Sequence, residues 1–125
     1  MECSDLIREA VMRTIRVAEF SHSPGGRFKV HGPSSGEEYR EEVLVPALKD
    51  AISADETLTV ELDGTSGYGS SFLEEAFGGL IRKGGIAPTL VRRHLAVTAN
   101  TPLYAPYATL AKRYIDAAER NLMAA

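Results

Sequence analysis

Residues 57–62 (TLTVEL) form a short run rich in β-branched residues, and 63–69 (DGTSGYG) is a glycine-rich loop. Two serines, Ser70 and Ser71, then open an apolar stripe of helical period: Leu73, Ala76, Phe77, Leu80 and Ile81. The change of period from two to 3.6 marks a strand that enters a loop and then a helix. A strand joined in this way to a following helix is half of a βαβ crossover, which implies a sheet containing parallel strands. Ser71 and Glu74 have capping-box spacing; Arg82 and Lys83 suit the negative helix end, and Gly84-Gly85 stop it.

The flanking segments extend this alternation. Residues 14–20 (TIRVAEF) and 27–31 (RFKVH) alternate apolar and polar positions around Pro24-Gly25-Gly26, which predicts an N-terminal β-hairpin. Ser35-Gly36-Glu37-Glu38 is a capping box opening a helix, with Tyr39, Val43, Ala47, Leu48, Ala51 and Ile52 on its apolar face. Pro46 lies inside that helix and predicts a kink or a restart, because it lacks an N–H. Residues 93–98 (RHLAVT), with a start as early as Leu90, read as a further strand. Residues 102–123 read as a closing helix with Leu103, Tyr107, Leu110, Tyr114, Ala118 and Leu122 on its apolar face. Residues 1–13 are expected to be a short helix or an arm ahead of a single domain over 14–125. The expected fold is α/β, a mixed four-stranded sheet with an N-terminal hairpin and about three helices mainly on one face.

Composition narrows the function classes. A net charge of −3 gives no basic field for nucleic acid. One cysteine, Cys3, allows neither an internal disulfide nor a cysteine metal cluster, and suits a reducing compartment. His22, His31 and His94 are scattered, with no metal-ligand spacing. The N-terminal residues do not read as a signal peptide, and no run approaches the roughly 20 apolar residues of a membrane span. A cytoplasmic protein with no cofactor, metal or membrane association is expected.

The chemistry-bearing segment is 63–75. Backbone N–H groups at a helix start are unsatisfied and carry partial positive charge, so a phosphate on Ser70 or Ser71 would be stabilised there. The competing reading makes both serines helix caps. Gly64, Gly67 and Gly69 would cradle a nucleotide or another anion in an alternative catalytic or ligand-sensing reading of loop 64–71, although the pattern is neither a dinucleotide fingerprint nor a P-loop. Arg27 would pair with Glu37 or Glu38, or reach the glycine loop as an anion clamp. A triad of Ser70, His94 and Asp63 lacks the G-x-S-x-G elbow, and the chain is not expected to be an enzyme.

The register Leu62…Ser70-Ser71-x-Leu73 resembles the Asp-Ser-Ser-Gly-Leu signature of STAS domains, the anti-sigma-factor antagonist family. Gly69 stands at the Asp position and Phe72 at the Gly position. The stretches 24–48 and 61–80 more closely resemble the bacterial family of STAS-like domains of unknown function, over roughly residues 14–84. That resemblance implies a STAS-like fold and a signalling module that binds a histidine-kinase-like ATPase or an anti-sigma-like protein. Ser70 would be the phosphorylated serine and Ser71 its neighbour. The implied partner face comprises Asp63, Gly64, Gly67, Tyr68, Gly69, Ser70, Ser71, Phe72, Glu74 and Glu75. The oligomeric state is left open.

Overall fold

The computed structural model describes residues 12–124; the expected N-terminal helix or arm lies almost wholly outside them. Among the described residues three strands, β1 (Met12–Arg16), β2 (Thr57–Glu61) and β3 (Leu95–Thr98), form one parallel sheet in the order β1-β2-β3. Five helices accompany it among those residues: α1 (Val17–Phe20), α2 (residues 36–53), α3 (70–82), α4 (Pro88–His94) and α5 (Ala105–Ala124). The α/β class is as expected, whereas the mixed four-stranded sheet and the hairpin are replaced by three parallel strands.

The hairpin fails for identifiable reasons. β1 pairs with β2 only as far as Arg16↔Glu61. Beyond that register an extended backbone would have no partner, and the chain turns instead into α1, where Ser21 N–H donates to the Val17 carbonyl. Residues 27–31 contain a single 3₁₀ turn, Lys29–His31. The carbonyls of Gly26 and Arg27 accept from the N–H groups of Gly36 and Glu37 at 2.9 and 3.0 Å. The predicted second strand therefore spends its acceptors on the orphan donors at the start of α2. Ser35 completes that cap, its hydroxyl accepting from Glu38 N–H while Glu38 reaches back to Ser34 N–H, each at 3.0 Å.

Within α2, residues Arg40–Leu44 form a π-turn, and Val45 N–H bonds back to the Arg40 carbonyl. Pro46 follows at once, so the wider turn absorbs the missing donor and the helix continues to Ser53. The apolar face runs through Tyr39, Leu44, Leu48 and Ala51, all fully buried. α3 carries a second π-turn, Glu74–Gly78, between Ser70–Leu73 and Gly79–Arg82. Its predicted stripe is buried.

Register places Ile15, Val60 and Val97 side by side, with Thr14, Thr59 and Ala96 on the opposite face. Two right-handed crossovers in a monotonic strand order put α2 and α3–α4 on the same side of the sheet. Helix α4 was not foreseen. Pro88 starts it, and Val91 and His94 turn inward, so the expected strand at 93–98 begins only at Leu95. The closing helix starts at Ala105 rather than Pro102, and it buries small residues, Ala108, Ala111 and Ala118. Two residues assigned to its apolar face, Leu103 and Leu122, are exposed, because residues 101–104 form a turn outside the helix and Leu122 lies near its far end. Among the described residues no helix is long and apolar enough to cross a membrane.

The starts of α2 and α3 touch backbone to backbone. A Cβ at Gly36 would lie 2.5 Å from the Phe72 carbonyl oxygen, and both residues are buried. Gly36→Ala gains helix propensity of at most about 1 kcal/mol, but overpacking at this contact costs about 1–3 kcal/mol, so a net loss of stability is expected in urea denaturation. Gly69→Ala, where a Cβ meets nothing within 4 Å, meets no overpacking and should cost less, at most about 1 kcal/mol for exchanging a glycine at the helix start.

Candidate functional site

The C-terminal end of a parallel sheet is where the connecting loops gather beside helix starts. In this chain that end is built from loop 63–69, the start of α3 and the turn 99–104. Leu62 ends the buried run of β2. Asp63 then accepts from Asn100 N–H at 2.8 Å, Thr101 N–H at 3.2 Å and the Thr101 hydroxyl at 2.8 Å. Hydrogen bonds from Asn100 and Thr101 hold its carboxyl below the usual range. Asp63 thus ties the β2 loop to the β3 loop.

The glycine loop is held along its length. Tyr68 donates from its hydroxyl to the Leu62 carbonyl at 2.6 Å, and Tyr104 donates to the Thr65 carbonyl. Gly67 N–H donates to the Thr65 hydroxyl at 3.1 Å, and Ser66 N–H to the His22 carbonyl at 2.7 Å. Gly64 and Gly67 have φ of +95° and +115°, which only glycine adopts freely. Behind the loop runs a row of aromatic rings: Phe20 meets Tyr39 edge-on at 5.0 Å, and Phe72, Tyr68, Tyr107 and Tyr104 follow at 5.1–6.0 Å. Burial pushes the Tyr39 and Tyr68 hydroxyls up in pKa. The buried Tyr39 hydroxyl has no hydrogen-bond partner among the described residues.

Gly69 is the N-cap of α3, with no side-chain cap, and Ser70 and Ser71 are the first two helical residues, both exposed. The helix-cap reading of these serines and the capping box at Ser71–Glu74 are therefore both corrected: the cap lies one residue earlier, and Glu74 is engaged elsewhere. Phe72 and Glu75, expected on the partner face, are buried and cannot form it. Phe72 packs between Tyr39 and Tyr68. Gly64, Gly69, Ser70 and Ser71 are exposed, and Asp63, Gly67 and Tyr68 are half-buried.

Glu74 and Glu75 belong to an ion network. Glu74 receives Arg27 at 2.5 Å and Arg82 at 2.5 Å. Glu75 pairs with Arg40 at 2.6 Å, both carboxylate and guanidinium side chains being only 3% exposed, and Arg40 also donates to the Glu75 carbonyl at 2.9 Å. Arg27 thus pairs with neither Glu37 nor Glu38, and its guanidinium goes to the acids of α3 rather than to the glycine loop. Burial on its own raises the Glu74 carboxyl; hydrogen bonds from Arg82 and Arg27 outweigh it and leave the group below its ordinary 4.5. Arg40, Arg82 and Tyr104 were not foreseen as contributors. Arg40 had a signal: it lies four residues before Leu44, on the buried stripe of α2, and Gly79 inside α3 marks where its guanidinium packs.

The triad is not assembled. His94 lies at the other end of β2, its Nδ1 2.8 Å from the carbonyl of Glu56, while Asp63 and Ser70 follow the strand. Among the described residues no group of three or more His, Cys, Asp or Glu could hold a metal ion.

A family model described as a STAS-like domain of unknown function matches residues 35–104. The match begins at the N-cap of α2 and ends at Tyr104, later at both ends than the resemblance over 14–84 suggests. No curated protein and no solved structure matches the chain.

Two outcomes follow from the ion network. Arg40→Ala leaves the buried Glu75 carboxylate with only its longer contacts to Arg27 at 3.4 Å and Arg82 at 3.6 Å, and should cost about 3 kcal/mol in chemical denaturation, the low end for breaking a buried pair; the double variant Arg40→Met/Glu75→Leu should recover much of it. Because the folded-state pKa of Glu74 is depressed, its contribution is fully present above 4.5 and is lost as pH falls through the lower folded value. Glu74→Gln should therefore flatten the acid limb of a stability–pH curve measured by thermal unfolding.

Proposed function

Since the chain belongs to the family of STAS-like domains of unknown function, we propose that it is a non-catalytic regulatory module that docks a kinase-like or ATPase partner at the C-terminal end of its sheet and is switched by phosphorylation of Ser70. The observation that carries this reading is the pair of adjacent exposed serines in the first turn of α3, behind an N-cap that uses no side chain. A hydroxyl in that position is reachable by a kinase, and a phosphate on it meets free N–H groups and the positive end of the helix. Glu74 would repel such a phosphate if bare, but Arg27 and Arg82 neutralise it.

The docking face comprises Gly64, Gly69, Ser70 and Ser71, flanked by the half-buried Asp63, Gly67 and Tyr68. Its loop is held by Asp63, Tyr68 and Tyr104, so a partner meets a preformed surface and little ordering entropy opposes binding. The same bonds weigh against an anion- or nucleotide-sensing or catalytic use of loop 64–71. The N–H groups of Ser66 and Gly67, which a phosphate cradle would need, already donate to His22 and to Thr65.

Affinity capture from the native host with wild type, Ser70→Ala and Ser70→Glu, read by intact-mass and peptide spectrometry, tests the proposal. The expected result is a kinase-like ATPase retained by Ser70→Ala, at least tenfold depleted with Ser70→Glu, and phosphate found on Ser70 of the wild type. A partner indifferent to both substitutions, with Ser70 unmodified, would sink the switch. A thermal-shift panel of nucleotides and inorganic phosphate should be flat; a saturable rise in melting temperature would favour the ligand-sensing reading.

A further inference from the structure

The second edge of the sheet is independent of the serine face. Leu62 N–H donates to the Thr98 carbonyl at 3.0 Å, in the register Glu61↔Thr98. Thr98 and Ala96 therefore turn their backbone groups toward β2, and Val97, between them, turns its N–H and carbonyl to the far side, where no strand pairs with it among the described residues. Natural edge strands are blunted by charge, proline or a bulge. β1 carries Arg13 and Arg16, each ion-paired, to Glu56 and Glu61. β3 reads Leu95-Ala96-Val97-Thr98, with no charge and no proline.

Beside this edge lie two cavities, of about 360 and 280 Å³, between β3 and the flank of α5. They share Val97, Thr98 and Lys112, so they adjoin along the strand as two parts of a groove. Leu95, Val97 and Ile115 give it an apolar floor. Its charges are unequally satisfied. Arg92 is held by Asp116 at 4.0 Å and by Glu119. Lys112 lines both cavities, is exposed, and has no carboxylate partner among the described residues. Lys112 is therefore the charged group of the groove left to meet an incoming carboxylate.

We propose that the outer edge of β3 and the groove beside α5 bind an extended peptide segment of a partner protein, one that alternates apolar residues and carries an acidic residue facing Lys112. Main-chain bonds to Val97 extend the sheet by one strand, alternate side chains enter the two cavities, and Lys112 sets the charge preference. The groove follows about five residues, or roughly 16 Å of strand.

Selection of phage-displayed random dodecapeptides on the whole protein, followed by synthesis of the winners, tests this. The winners should alternate apolar residues and contain Asp or Glu. Lys112→Glu, a substitution at an exposed site, should weaken them at least tenfold and on reselection yield Lys or Arg instead. Binding should slow amide exchange at Val97, and a proline in the middle of the peptide should abolish it. Ser70→Glu should leave peptide affinity unchanged, which separates this site from the serine face. Winners that bind Lys112→Glu equally well, or that leave Val97 exchange unaltered, overturn the proposal. So does a concentration-dependent dimer in sedimentation that protects the Val97 amide, since a second copy would then be the occupant.

Discussion

The ion pair between Arg40 and Glu75 constrains the rest of the molecule. Two charges removed from water are tolerated only when each is matched closely and its remaining hydrogen-bonding groups are used. Here Arg40 spans both the carboxylate and the carbonyl of Glu75. Each partner sits in a π-turn of its own helix, and Gly79 leaves room for the Arg40 guanidinium on the α3 side. The two crossover helices are thereby fixed in one register, which a purely apolar contact would leave freer to slide. Because α3 begins at the candidate site, that register also sets where Ser70 and Ser71 emerge.

At the C-terminal end of the sheet the polar groups divide into two sets. Asp63, Thr65, Tyr68 and Tyr104 are engaged in holding loops to one another. The hydroxyls of Ser70 and Ser71 stand at an exposed helix start that no side chain caps. The proposed docking face rests on this division, a polar pair presented on a rigid frame. Departures from the STAS signature fit the same frame. Phe72 fills the aromatic row where the signature has glycine, and Gly69 takes the cap position with backbone alone.

The parts of the fold that could be read from residues were those governed by short-range rules. The Ser35–Glu38 cap, the β2-loop-α3 unit, the α3 stripe and the glycine stop after it all depend on neighbours within a few positions. The hairpin misled because Phe28 and Val30 alternate as a strand would, while the carbonyls of Gly26 and Arg27 had a use that alternation cannot reveal: they accept from the N–H groups of Gly36 and Glu37 at the start of the next helix. Helix α4 was hidden because seven residues are too few for a clear helical period, and His94 faces inward for a backbone carbonyl before β2.

For the site, the sequence located the segment and the two serines but misjudged which neighbours accompany them. Periodicity states which side of an element is buried, and it does so from one element alone, so α/β order, the strand-to-helix loop and the serine pair followed from the chain as written. Which backbone groups find which partners depends on distances between elements far apart in sequence. The exposure of Ser70 and Ser71, the burial of Glu75 against Arg40, the diversion of Arg27 to Glu74 and the open edge of β3 were all settled only when those elements came together, because ion pairs and strand edges are properties of the space between elements.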